Sequence, residues 1–170
     1  MTKTYAGIGS RETPADVCAL MTSIATHLRK DGYILRSGHA PGADSAFEAG
    51  AGNEAEIWIP WRGFNGSKSP LLPIPAAFAM AEEYHPKWTA VNLGGRSLHA
   101  RNCHQVMGRD LVSPVEFVIC WTYDGRASGG TGQALRIAEA HKIPVYNLFN
   151  DSDRRYWEVL MERPPEQAAQ

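Results

Sequence analysis

The stretch Tyr5-Ala6-Gly7-Ile8-Gly9-Ser10-Arg11-Glu12-Thr13-Pro14 sets a strand, a turn and a helix start end to end. Tyr5–Ile8 reads as a short strand and Gly9-Ser10-Arg11 as the turn that ends it. Thr13 is a residue type that caps helices, and Pro14 fits a first helical position. Beyond them Val17, Leu20, Met21, Ile24 and Leu28 recur at helical spacing until Gly32, which predicts a helix over 14–31. A strand that turns straight into an amphipathic helix is the first half of a βαβ unit.

The chain then repeats that theme. Tyr33–Ser37 reads as a second strand, followed by the glycine-bearing loop 38–44 and a short helix around Ser45–Ala51, and Ile57–Ile59 reads as a third strand. From Pro60 to Pro75, four prolines with Gly63, Asn65, Gly66 and Ser67 exclude regular structure over most of the span and predict a long functional loop or a mobile flap. Residues 76–84 and Leu98–Leu111 read as helices, the second closed by Ser113-Pro114. Val115–Trp121 is nearly all apolar, as a central parallel strand covered on both faces must be. The loop Thr122–Gly130 leads to a helix over Thr131–His141, and Val145–Leu148 makes the last strand. This alternation predicts an α/β fold, a Rossmann-like three-layer sandwich with a mostly parallel sheet of about five strands. One domain is expected over 1–163, with a flexible tail at 164–170.

Composition agrees with such a domain. The 170 residues are 44% hydrophobic and 21% charged, enough apolar material for a core. There is no apolar run of membrane-spanning length, and the chain enters its first strand without the apolar stretch of a signal peptide, so a cytoplasmic protein with no membrane partner is expected. Cys18, Cys103 and Cys120 lie far apart in apolar-periodic segments and read as buried thiols. A net charge of -1 excludes a global basic field of the kind that dominates non-specific DNA affinity and leaves only a local patch.

In an open parallel sheet, ligands bind beyond the carboxyl ends of the strands. Gly7–Arg11, Ser37–Gly42 and Ser128–Gly132 each follow a predicted strand and precede a helix, so they converge on one edge. Glycine lets the backbone approach a phosphate, and the helix behind it aims unpaired N–H groups at the anion. The nucleotide or phosphate candidates are therefore Gly9, Ser10, Arg11, Ser37, Gly38, Ser128, Gly129, Gly130, Thr131 and Gly132. Arg101 and Asn102 add a guanidinium fork and an amide suited to phosphate or ribose.

Three carboxylates are catalytic candidates. Asp44 and Glu48 share one face of the short second helix, where Asp44 serves as a cap or as an acceptor for ribose hydroxyls. Asp124 follows the most apolar strand, where α/β enzymes hold acids and bases, although Asp124-Gly125 is also an ordinary turn. Trp58, Trp61, Phe64, Tyr84 and Trp88 gather around the proline-rich segment, either to stack on a base if the loop folds over the site or to form a small core of their own. The sequence lacks GxxxxGK[ST], GxSxG and any metal-ligand spacing of histidines, so no ATP-driven work, no Ser-His-Asp triad, no metal and no cofactor are expected.

Taken in order, Gly7–Arg11, Ser37–Asp44, Arg101-Asn102 and Ser128–Gly132 resemble the SLOG superfamily, which includes the LOG phosphoribohydrolases and the DprA DNA-processing proteins; the likeness spans roughly residues 3 to 150. Ser37–Asp44 is similar to the SGxAxGxD pattern of DprA, and Arg101-Asn102 to its RN pair. Gly129-Gly130-Thr131-Gly132 resembles instead the PGGxGTxxE signature of LOG enzymes, which cleave the N-glycosidic bond of nucleoside monophosphates. The LOG signature carries a glutamate three or four positions after its last glycine, where this chain has Leu135 and Arg136. Hydrolysis would thus fall to Asp44, Glu48 or Asp124. The resemblance implies a nucleotide ligand, with N-glycosidic cleavage open; the DprA side of it implies single-stranded DNA binding without catalysis, and a non-catalytic nucleotide sensor is a third reading. It also implies a homodimer, and it admits a phage origin.

Overall fold

The computed structural model describes residues 2–163, and the expected tail at 164–170 lies outside them. The elements in chain order are β1 (Lys3–Gly7), α1 (Ala15–Lys30), β2 (Tyr33–Ser37), α2 (Ala43–Ala51), β3 (Ala55–Ile57), α3 (Pro75–Tyr84), α4 (Leu93–Met107), β4 (Val118–Cys120), α5 (Gly129–Ala140), β5 (Val145–Asn147) and α6 (Asp151–Glu162).

The sheet has five strands in the order β3-β2-β1-β4-β5, and every neighbouring pair is parallel. The α/β class and the parallel five-stranded sheet expected from the sequence are thus what the molecule has. The pleat sends alternate residues to opposite faces. Ala6, Val118 and Cys120 join a core with α3, α4 and α5. Tyr5, Leu35 and Ile119 join the opposite core with α1, α2 and Trp157 of α6. Strand order reverses between β1 and β4, which opens a crevice at their carboxyl ends.

Several elements depart from the expectation, each for a local reason. Helix α1 begins at Ala15 with Pro14 at its N-cap, because the Thr13 hydroxyl donates to the Ser10 carbonyl (2.6 Å) and caps nothing in the helix. Helix α4 begins at Leu93, five residues before the expected Leu98, because the Asn92 side chain accepts from the Gly95 N–H (2.8 Å) and carries the helix through two glycines. It ends at Met107, since Gly108 takes a left-handed φ of 78°. Helix α6 has no counterpart among the predicted elements. Cys103 and Cys120 are buried, while Cys18 is only partly so.

The proline-rich segment is tied to the rest of the fold at several points. Leu71 bridges to Trp58 and accepts from the Ile59 N–H (3.0 Å). Trp58 stacks on His104, ring centroids 4.3 Å apart and 9° from parallel. His104 in turn accepts from the Ile74 N–H (3.1 Å) through Nε2 and donates from Nδ1 to the Gly108 carbonyl (2.8 Å). Trp58 and Phe64 are buried, and Tyr84 and Trp88 pack against the α3–α4–α5 core. These four rings therefore belong to the interior and do not cover the crevice. No helix of the described residues is long and apolar enough to cross a membrane.

Candidate functional site

A cavity of about 390 Å³ opens at the carboxyl ends of β1 and β4. Its walls are the turn Gly9–Glu12, the start of α2 at Asp44, the loop Thr122–Tyr123, the amino end of α5 at Ser128–Thr131, and one face of α4. That volume lies in the range of small-molecule sites.

The amino end of α5 carries no side-chain cap. Ser128 holds the N-cap position, yet its hydroxyl donates to Asp124 Oδ1 (2.7 Å) and no side chain caps the helix. The first-turn N–H groups are left with the positive end of the helix dipole. Gly129 takes a φ of 63°, a conformation that favours glycine. At Gly130 a Cβ would meet nothing within 4 Å. Among the described residues, nothing crowds position 130.

Arg101 is buried beside this turn. Its Nη1 donates to the carbonyls of Gly38 (2.5 Å) and Trp58 (3.1 Å), its Nε donates to Asn102 Oδ1 (2.9 Å), and Phe64 lies under the guanidinium at 5.5 Å. Among the described residues Nη2 has no acceptor, and the residue lines the cavity. Asn102 links this cation to the turn, because its Nδ2 donates to the Gly130 carbonyl (3.1 Å).

Asp44 stands in the first turn of α2 at 5% exposure, where its Oδ2 accepts from the Ala40 N–H (3.2 Å). Burial pushes its carboxyl up to about 6, against the pull of the Arg101 charge and the Ala40 N–H. Of the three candidate carboxylates it alone lines the cavity. Glu48 lies outside, held against His39 Nδ1 (2.7 Å). Asp124 sits on an exposed turn, where the Ser128 hydroxyl and the Arg126 N–H (3.0 Å) hold its carboxyl below the usual range.

The remaining candidates divide by position. Gly9, Ser10, Arg11, Ser128, Gly129, Gly130 and Thr131 line the cavity with Arg101 and Asn102. Ser37, Gly38 and Gly132 stand behind that lining. The Ser37 hydroxyl donates to the Gly7 carbonyl (2.6 Å) and ties β2 to β1. A Cβ at Gly38 would strike the guanidinium of Arg101, so this glycine makes room for it. A Cβ at Gly132 would strike the Ala127 carbonyl (2.6 Å).

Ten lining residues were absent from the sequence-based candidates, His99 and Tyr123 among them. His99 precedes Asn102 by three positions on the same face of α4, and that helical spacing was the available signal. Tyr123 follows β4 by three residues and stands at the rim with 66% exposure. No group of three His, Cys, Asp or Glu among the described residues is disposed to hold a metal.

No protein-family model matches this chain, and no curated protein does. Among solved structures the chain is similar to DNA processing protein A from Helicobacter pylori, in a structure described for its single-stranded DNA binding mode. The TM-score is 0.58 at 18% identity, and the match covers 95% of this chain and 81% of that one. At that identity the likeness shows a shared Rossmann-like, DprA-like fold.

Proposed function

We propose that this protein binds single-stranded DNA and seats one nucleotide of the strand in the cavity, its phosphate on the amino end of α5. The observation that carries this is the uncapped first turn at Gly129–Thr131, with Gly130 open in front and Arg101 beside it. Arg11 and the Ser10 hydroxyl line the same space and supply further donors. A strand is favoured over a free nucleotide on two grounds. The shared fold is that of a protein described as binding single-stranded DNA. Tyr123 offers an exposed ring at the rim, on which a neighbouring base can stack.

Fluorescence polarisation with a labelled oligo-dT tests the proposal. Saturable binding that a duplex of equal length does not match supports it; absence of binding at low salt overturns it.

A second reading is a free nucleotide ligand, with cleavage of its N-glycosidic bond. It is favoured by Asp44, a buried carboxyl in the cavity whose proton leaves at about pH 6. Such an acid is suited to protonating a departing base. Chromatography of nucleoside monophosphates incubated with the protein decides it. Released base establishes turnover, and a thermal shift without release leaves binding alone.

A further inference from the structure

His99 is held in one protonation geometry by two other helices. Gln133 of α5 is fully buried, and its Nε2 donates to the Ala81 carbonyl of α3 (3.1 Å). That bond orients the amide so that its oxygen, an acceptor only, meets His99 Nδ1 at 2.6 Å. The proton therefore sits on Nδ1. Nε2 is left with its lone pair, has no protein donor among the described residues and is not sealed from solvent.

The groups around the ring keep it neutral. Burial holds the imidazole below the usual histidine value, and His85 (ring centroids 4.6 Å away), Arg136 and Arg101 act in the same direction, against the Gln133 hydrogen bond. His99, which lines the cavity on the α4 wall with Asn102, is thus a fixed, uncharged acceptor.

We propose that His99 is the residue with which the cavity reads the nucleobase, its Nε2 accepting a hydrogen bond from a base N–H. This rests on the strand-binding reading above. Inside a DNA strand the phosphate is ionised, and both sugar hydroxyls are esterified. Such a unit offers hydrogen-bond donors only on its base. Asn102 is bonded to the turn that would carry the phosphate, and His99 lies about one helical turn from it along α4, roughly 5 Å toward the amino end. Gln133 is then a positioning residue that fixes which ring nitrogen faces the ligand.

The test compares oligo-dT, whose base has a single N–H, with an abasic oligonucleotide of the same length. His99→Ala is expected to lose about fivefold in affinity for oligo-dT, the worth of one hydrogen bond, and nothing for the abasic strand. His99→Gln, whose amide oxygen can take the place of Nε2, is expected to regain most of that loss. Equal losses on both strands, or no loss on either, overturn the base-reading role. If wild-type protein binds neither strand, the strand-binding reading falls and this inference with it. Nitrogen-15 NMR gives a readout free of ligand. Wild-type His99 is expected as the Nδ1–H tautomer at pH 7.5, shifting toward Nε2–H in Gln133→Leu, and a wild-type Nε2–H signal overturns the proposal.

Discussion

Arg101 divides its guanidinium between the protein and the cavity. Nη1 and Nε are bonded to Gly38, Trp58 and Asn102, and the rest faces the cavity where Asp44 also lies. Arg101→Ala is expected to cost about 3 kcal/mol of stability, because carbonyls and a buried carboxyl lose their cation, and to abolish strand binding. Urea denaturation and polarisation read the two effects, and Arg101→Lys should restore neither fully, since an ammonium cannot reproduce the fork. Asp44 gives a pH prediction. Its folded value is raised to about 6 from an ordinary 3.8, so over that interval the folded state holds a proton that the unfolded state has released. Stability contributed by this group is present below about pH 4, falls as pH rises toward 6, and is level above, by roughly 3 kcal/mol at most. Asp44→Asn keeps an oxygen for the Ala40 N–H and should remove that slope; an unchanged profile in denaturation at pH 4.5, 6 and 7.5 assigns it elsewhere. Arg101 and Asp44 were legible as types in a motif, but the distant partners that set the α4 wall were not. Arg101 bonds to a carbonyl 63 positions away, and His99 is defined by Gln133, 34 positions away, a relation no local pattern carries.

The amino end of α5 separates two glycines that the sequence presents as equivalent. Gly130 has empty space where a Cβ would stand, whereas Gly132 is pressed against the Ala127 carbonyl. Gly130→Ala is expected to leave the melting temperature unchanged or higher, since alanine favours a helix by up to about 1 kcal/mol, while weakening strand binding about tenfold. Gly132→Ala should lower the melting temperature. If Gly130→Ala binds DNA like the wild type, the phosphate does not sit on this turn. The same local physics explains which elements could be read in advance. The turn from β1 into α1 and the buried stripe of α1 follow from spacing alone, and the open sheet follows from the alternation. Helix α4 begins ahead of the expected Leu98 because Asn92 caps it and carries it through Gly94-Gly95, a link that apolar spacing does not show. Helix α6 escaped notice because most of its face is charged or exposed and Trp157 alone is fully buried.

At the scale of the molecule, three helices cover each face of the sheet and one crevice receives the loops of β1, β2 and β4. The convergence of these loops was readable from the rule that parallel strands point one way; the depth of the cavity, set by the α4 wall, was not. Cationic groups in the cavity lining are few, Arg11 and Arg101, on a chain of net charge -1. Salt should therefore weaken strand binding only mildly, with a log–log slope of about -1.5 at about 0.7 for each single-strand phosphate neutralised. A slope steeper than about -4 in a titration from low to high salt would require a basic surface outside the cavity. The bridge from Leu71 to Trp58 has a consequence for how the molecule behaves in company. Strand β3 ends the sheet, and an open end strand is a template on which other chains can pair. Here the continuation of β3 at Trp58 is occupied by a segment that carries Pro70 and Pro73, whose nitrogens have no hydrogen to donate, so pairing by another chain is blocked along that stretch. Replacing both prolines by threonine is expected to leave the cavity intact and to make concentrated solutions scatter light. In that sense the segment that looked most like a cover for the site covers part of a sheet edge.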